Sequence, residues 1–152
     1  MDTFLNDSGQ KTANQLASHF ADSYSLDDVF PITNEKELEM LNNKICHDKQ
    51  FKLATVSKLS LLVGNKDIGD SVRRLVSRMF TDDILTFYSL QGKKQKKNFS
   101  KLPAYQLIID ALRIHSKFKD KIDKEFNDPL ANWINHSKFR IINKMKAAEK
   151  TT

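Results

Sequence analysis

Four histidines and one cysteine are the residues of this 152-residue chain that most often bind metals or act as nucleophiles. They are scattered along the sequence, at His19, Cys46, His47, His115 and His136. None of them forms a C-x-x-C, H-x-x-x-H or H-E-x-x-H pair. Adjacent residues on a helix point about 100° apart, so Cys46 and His47 cannot readily share one metal. We therefore predict no metal site, and the single cysteine excludes an intrachain disulfide.

Two further patterns resemble catalytic motifs, but the residues and predicted elements around them do not match those motifs. The run from Gly64 to Gly69 is glycine-flanked, but it lacks the G-K-[ST] ending of a phosphate loop and follows a predicted helix. Asp82 and Asp83 form an acidic pair, which is typical of the first turn of a helix. The sequence therefore predicts no enzyme, no cofactor and no small-molecule substrate.

Positive charge is the strongest chemical signal in the chain. Residues 93–101 contain no acid and five lysines, namely Lys93, Lys94, Lys96, Lys97 and Lys101. Burying these ammonium groups unpaired would be costly, so the loop must be solvated, and phosphates are its natural partners. A lysine-rich run is also typical of nuclear import signals, or it simply keeps a surface soluble. We interpret Phe99, at the end of the loop, as a core anchor.

The charge is divided unevenly along the chain. Residues 1–50 hold four Lys/Arg and nine Asp/Glu, 4 − 9 = −5, whereas residues 51–152 hold twenty-one and ten, 21 − 10 = +11. An acidic leader joined to a basic body is common in modules that bind polyanions. The remaining interpretation is that lysine serves solubility alone.

Length and composition predict one all-α domain, a compact bundle of about five to six helices. Four Gly and three Pro supply too few turn signals for an all-β chain. We expect a flexible acidic leader over residues 1–29, the helical domain over residues 30–146 and a tail over residues 147–152. No apolar run reaches the roughly 18 to 20 residues needed to cross a bilayer, and no signal-peptide pattern begins the chain.

Capping residues and apolar spacing locate the helices. We predict helices that begin after Thr33 or Asn34, after Asp48, at about Asp67 and after Thr81. A fifth begins at Leu102-Pro103, and a helical turn over residues 120–126 precedes a last helix that begins at Asp128-Pro129. The third helix buries Ile68, Val72, Leu75, Val76 and Met79. Its opposite face carries Arg73, Arg74 and Arg78, which make a second basic strip, a solvated face or an intramolecular partner for the acidic leader.

Five short motifs of the sequence resemble those of a known family. They are Phe30-Pro-Ile, Leu62-Val-Gly-Asn-Lys-Asp67, Val72-Arg-Arg-Leu-Val-Ser-Arg-Met-Phe-Thr81, Ile108-Ile-Asp-Ala-Leu-Arg113 and Trp133-Ile-Asn-His136. Together they span residues 30–138 and resemble the domain of unknown function numbered 4806, found in uncharacterised and transposon-linked animal proteins. That family is in turn similar to the BEN domain, a helical module of chromatin proteins.

The BEN resemblance implies DNA contact through a basic loop and a C-terminal helix. The corresponding positions are Lys93, Lys94, Lys96 and Lys97 in the loop, and Lys138, Arg140 and Lys144 in the last helix. Arg140 or Lys144 would reach base edges if that helix entered a groove of the DNA. BEN-like modules also dimerise and dock partners, so the resemblance leaves a protein-interaction role open.

We therefore expect a non-enzymatic, nuclear DNA-binding module, with a cytoplasmic location as the alternative. The competing hypothesis is a protein-interaction module, in which the basic face meets a second copy, an acidic partner or the leader itself. A transposon fragment without retained activity is a third possibility.

Overall fold

The computed structural model describes residues 24–64 and 66–151. The predicted all-α class is confirmed, because the described residues form seven helices and one pair of two-residue strands. The helices are α1 (Glu35–His47), α2 (Lys49–Ser60), α3 (Ile68–Met79), α4 (Asp82–Leu85), α5 (Pro103–Ile114), α6 (Asp123–Asn135) and α7 (Ser137–Thr151). Strands β1 (Tyr88–Ser89) and β2 (Lys97–Asn98) pair in parallel, and 3-10 turns cover Leu26–Asp28 and Phe99–Lys101.

Three predicted helix starts are confirmed by their caps. Asn34, Asp48 and Asp67 each accept a hydrogen bond from the backbone N–H three residues further on, at 2.9, 3.0 and 2.8 Å. Thr81 precedes α4 as predicted, but its side chain accepts no hydrogen bond from the helix, so the predicted side-chain cap is wrong. The Thr81 hydroxyl instead donates to the Ile32 carbonyl at 3.4 Å. Helix α4 therefore begins without a side-chain cap, tied to the chain segment that precedes α1.

Helix α3 occupies the centre of the bundle. Val72, Leu75, Val76 and Met79 are completely inaccessible to solvent, as the 3.6-residue period predicts. This face packs against α5 and α6, while α2 covers the other side of α5. The arginines lie on the opposite side of α3. One face of the central helix is therefore part of the apolar core, and the other is part of a charged surface.

The end of the predicted leader belongs to the fold. Tyr24 stacks on Phe51 of α2 at 5.9 Å between ring centroids, and its hydroxyl shares a hydrogen bond with the buried Thr55. Burial raises the pKa of the Tyr24 hydroxyl. Residues 24–29 are therefore packed, contrary to a flexible leader that reaches residue 29, because Tyr24 supplies an aromatic ring that α2 buries. The rest of the predicted leader, residues 1–23, lies outside the described residues.

The predicted last helix is two helices. Phe126, Leu130 and Ile134 are buried at a spacing of four, so the core face of α6 extends to both sides of Pro129, which lies inside the helix. The helix ends at His136, whose N–H bonds the Asn132 carbonyl at 3.1 Å, and α7 follows at once.

Helix α7 continues through the predicted tail. It runs without a Gly or Pro from Ser137 to Thr151, so residues 147–151 extend the helix. Its residues beyond Ile141 are exposed up to Lys150, so α7 projects along the surface of the bundle.

Phe99 provides a stability test for the basic loop. Its ring is 1 % exposed and packs edge-on against Phe80 and Tyr88. We expect Phe99→Ala to lower the free energy of unfolding by about 3–5 kcal/mol, since the truncation leaves a cavity. The matched control is Phe87→Ala, which removes a ring that is 61 % exposed and should change it by less than about 1 kcal/mol. Urea denaturation of both variants measures the difference, and equal losses would contradict the anchoring role of Phe99.

Candidate nucleic-acid interface

The lysine turn, residues 93–97, is a tight reversal of the chain. The Lys96 N–H donates to the Lys93 carbonyl at 3.1 Å, and the two residues between them have positive φ, 55° at Lys94 and 65° at Gln95. This is the pattern of a type I′ turn, which side chains other than glycine and asparagine adopt only with strain. Gly92 precedes it at φ 74°, where an added Cβ would lie 3.1 Å from the Asn98 Cβ. The turn is therefore held in a defined shape with Lys94 at its tip.

Both ends of the lysine turn are anchored. The Lys93 N–H donates to the Ser89 hydroxyl at 2.7 Å, and the Ser100 N–H donates to the Leu90 carbonyl at 2.9 Å. Leu90 before the turn and Phe99 after it are buried. The solvated loop that the sequence predicts is thus a turn fixed to the core at two points.

The lysines of the turn differ in their internal partners. The Lys96 ammonium donates to the Thr86 carbonyl at 2.7 Å, and the Lys97 ammonium lies 3.4 Å from a Glu35 carboxylate oxygen. Within the described residues, the side chains of Lys93 and Lys94 have no hydrogen-bonding or ion-pair partner, and both are exposed. These two ammonium groups are therefore free to meet an external anion.

Tyr88 links Glu35 to the base of the turn. Its hydroxyl donates to the same Glu35 oxygen at 2.6 Å, and the Lys97 ammonium lies 6.0 Å from its ring centroid. Burial, and then the neighbouring carboxylate, raise the pKa of Tyr88 far above its usual value. The hydroxyl thus stays protonated and holds Glu35 as the counter-ion of Lys97.

A groove of about 750 Å³, here called the lysine groove, separates the turn from α6. Its lining includes the lysine turn on one side and, on the α6 side, Lys124, Asn127, Asp128, Ala131 and Asn135. This wall was not predicted, and its residues Lys124 and Asn127 lie before Asp128, where the last helix was expected to begin. The spacing of four between Asn127, Ala131 and Asn135 was the available signal, since it places the three residues on one helix face.

The polar groups of the α6 wall are partly engaged. The Asn127 carbonyl oxygen accepts from the Tyr105 hydroxyl at 2.7 Å, which leaves its NH2 group as a donor for the groove. Lys124 donates to Asp128 at 2.9 Å, and this hydrogen bond raises the pKa of the Lys124 ammonium. The wall therefore offers amide donors next to an ion pair of zero net charge.

Arg140 is engaged inside the protein. Its Nε and one terminal nitrogen donate to the same Asp82 oxygen at 3.0 and 2.8 Å, and its guanidinium lies 3.6 Å from the Trp133 ring centroid. Lys144 approaches the other Asp82 oxygen at 3.7 Å but remains 79 % exposed. Two N–H donors of Arg140 and one face of its guanidinium are therefore engaged inside the protein, and these contacts hold α7 on α4. That Arg140 reaches base edges stays a prediction.

The remaining predicted basic residues are distributed over separate surfaces. Lys101 and Lys138 are exposed and have no ion pair among the described residues. Arg74 lies 3.2 Å from Asp70, and Arg78 pairs with Asp27. Arg73 lines a different groove, together with Lys66 and Lys121. The lysine turn and the arginine strip therefore do not form one continuous site.

Residues 24–64 and 66–151 contain neither a candidate membrane span nor a candidate metal cluster. None of their helices is long and apolar enough to cross a bilayer. The same ranges contain no cluster of three His, Cys, Asp or Glu residues that could hold a metal ion.

The strain of the lysine turn gives a test with two opposite outcomes. Gln95→Gly should raise the free energy of unfolding by about 0.5–1 kcal/mol, because a left-handed backbone costs an L-residue about 1–2 kcal/mol and glycine about 0.5–1 in entropy. Gln91→Gly, in the same loop at negative φ, should lower the free energy of unfolding by about 0.5–1 kcal/mol, because glycine adds its entropy cost there and relieves no strain. Thermal unfolding of the two variants compares them, and a loss of stability in both would contradict the geometry of the turn.

Comparison with known proteins identifies the family of the chain. A stretch of 109 residues is 28% identical to the RNA-directed RNA polymerase L of Rice stripe virus (isolate T); it covers 72% of this chain and 4% of the viral protein. No solved structure matches the chain. Residues 26–112 match the model of the family described as Domain of unknown function (DUF4806), and this match covers more than half of the 152 residues. The chain therefore belongs to the DUF4806 family.

Proposed function

We propose that this protein is a non-enzymatic, nuclear DNA-binding module that contacts phosphates through the lysine turn. The observation that carries the proposal is the pair of free ammonium groups on Lys93 and Lys94, presented by a fixed turn at the rim of the lysine groove. Phosphate contacts of this kind release counterions, and this release supplies much of the affinity of proteins for DNA. The proposal assigns no catalytic residue, metal or cofactor.

The distribution of ion pairs favours the lysine turn over the arginine strip. Arg74, Arg78 and Arg140 each have a carboxylate partner within the protein. An anion that binds them must compete with that partner, whereas Lys93 and Lys94 can be neutralised without breaking a contact. A phosphate that binds Lys93 and Lys94 on the lysine turn therefore breaks no internal ion pair.

The α6 wall supports the proposal with neutral donors. Asn127 offers its NH2 group, and Asn135 lies two turns further along the same face. Side-chain amides bond phosphate oxygens and base edges, so they would orient a strand that the lysines attract. We assign Lys96 and Lys97 to the shape of the turn and to its positive potential, since both already have internal partners.

Lys101, Lys138 and Lys144 add to the positive potential of the protein as a whole. All three are exposed, and Lys144 keeps most of its surface accessible although it approaches Asp82. They add to the attraction of a polyanion at long range, and salt should screen this contribution.

A salt series tests the phosphate contacts. We expect binding to a random-sequence duplex, followed by fluorescence anisotropy, to weaken steeply as salt rises. In Lys93→Ala/Lys94→Ala the slope of log K against log salt should be smaller by about two units, since each lost phosphate contact removes about 0.9. These substitutions leave the contacts of Lys96 and Lys97 intact.

The matched control is Lys36→Ala/Lys49→Ala. It removes the same charge from exposed lysines at the starts of α1 and α2, away from the lysine groove. Its salt slope should equal that of the parent protein. Equal slopes in all three proteins, or no binding at about 50 mM salt, would overturn the proposal.

Homodimerisation is a second candidate function, and one observation on α7 favours it. Phe139, Ile142 and Met145 are 66, 39 and 61 % exposed and follow each other at a spacing of three. Phe139 and Ile142 are turned away from the groove that Arg140 and Ile141 line, whereas Met145 lies at the edge of that groove. An exposed apolar stripe of this kind is typical of helices that pack against a second helix.

Salt distinguishes the two candidate functions. The stripe lies on a helix with four lysines, so two copies repel each other, and screening should strengthen a dimer as salt rises. Sedimentation at increasing salt should therefore show a rising dimer fraction, and Phe139→Ser should abolish it. Leu61→Ser, at an isolated residue that is 83 % exposed, should leave the dimer fraction unchanged. A monomer at every salt concentration would exclude this second candidate.

A further inference from the structure

Phe87 is an exposed aromatic ring next to two of the turn's lysines. It lies between α4 and β1 and is 61 % exposed, whereas its neighbour Tyr88 is 3 % exposed. The core does not require this ring, because Phe80, Tyr88 and Phe99 form the aromatic cluster without it. Its position is thus unexplained by packing.

Backbone contacts place two lysines at Phe87. The Lys97 N–H donates to the Phe87 carbonyl at 3.0 Å, and the Lys96 ammonium binds the carbonyl of Thr86, whose peptide bond leads directly into Phe87. On the other side, the Phe87 N–H donates to the Ile84 carbonyl at 3.3 Å. The ring therefore projects from a backbone that is fixed at both of its hydrogen-bonding groups, and the Lys96 ammonium is bound at the preceding carbonyl.

We infer that Phe87 stacks on an unpaired base and that this surface takes single-stranded DNA in preference to duplex. The inference rests on the proposed function and names its ligand class. A base has an aromatic face in every sequence, and a lysine beside the ring can hold the adjoining phosphate. Phe87 supplies the stacking face, and Lys93 and Lys94 supply the charge along the backbone.

A duplex cannot use the ring in this way. Its bases are stacked on each other and present only their edges in the grooves, so a flat ring beside the phosphates would stay exposed to water. Single-stranded DNA can turn one base out of its own stack onto the ring while its backbone follows the lysines. The exposed carboxylate of Asp83, on α4 just before Phe87, repels phosphate and so favours a backbone path on the lysine side.

The experiment measures how much the Phe87 ring contributes to the binding of two ligands, single-stranded DNA and duplex DNA. Binding of oligothymidylate and of a duplex of the same length is measured by anisotropy at one salt concentration. Phe87→Ala should weaken the single-stranded complex roughly 5- to 150-fold, the range that the loss of one base–aromatic stack gives. The duplex complex should change less than about two-fold, since stacking on Phe87 is closed to paired bases. Phe87→Trp should restore single-stranded binding, which a merely structural effect would not do.

Two further variants separate the possible failures. Leu61→Ala removes an apolar side chain that is 83 % exposed and lies outside the lysine groove, and it should leave both affinities unchanged. If Phe87→Ala has no effect, or weakens both complexes equally, the stacking role is overturned. If Lys93→Ala/Lys94→Ala still flattens the salt slope in that case, the proposed function stands without it. If the parent protein binds neither ligand, both proposals fall.

Discussion

The burial of Phe99 is the interaction on which the basic surface depends. Its ring packs edge-on against Phe80, at the end of α3, and against Tyr88 in β1, at 5.5 and 6.0 Å between centroids. Four lysines within five residues repel one another and, without such an anchor, would favour an extended, mobile chain. An apolar contact at the end of the turn, with Leu90 buried at its start, thus fixes the place where the charge is presented.

The internal ion pairs decide which cations remain available. Asp27, Asp70 and Asp82 are each within ion-pair distance of an arginine, and Asp82 also approaches Lys144. The Arg140–Asp82 pair is the least exposed of these, with side-chain exposures of 20 and 12 %, so salt screens it less than the others. Arg74, Arg78 and Arg140 are therefore engaged within the fold, whereas the side chains of Lys93 and Lys94 have no such partner among the described residues.

The sequence predicted the local features of the fold well and its later tertiary features poorly. Asn34, Asp48 and Asp67 are caps whose chemistry depends on three or four neighbouring residues, and the helix starts predicted at or next to these residues are confirmed. The division between α6 and α7 was missed, since a proline inside the pattern favours a helix start, yet buried residues on both sides of Pro129 hold one helix together. The α6 wall of the groove was missed for the same reason.

The lysine groove shows why the site itself could be predicted only in part. The charge of the turn is a local property, visible in five consecutive residues, whereas the wall that faces it is created by the packing of α6 on α3. On α6, Phe126, Leu130 and Ile134 enter the core, and each is followed by a residue of the groove face, Asn127, Ala131 and Asn135. Successive helix positions differ by about 100°, so the orientation that buries the first set turns the second set away from the core. The core residues of α6 therefore set the position of the amides, and the lysine groove takes its shape from apolar packing on one side and from a strained turn on the other.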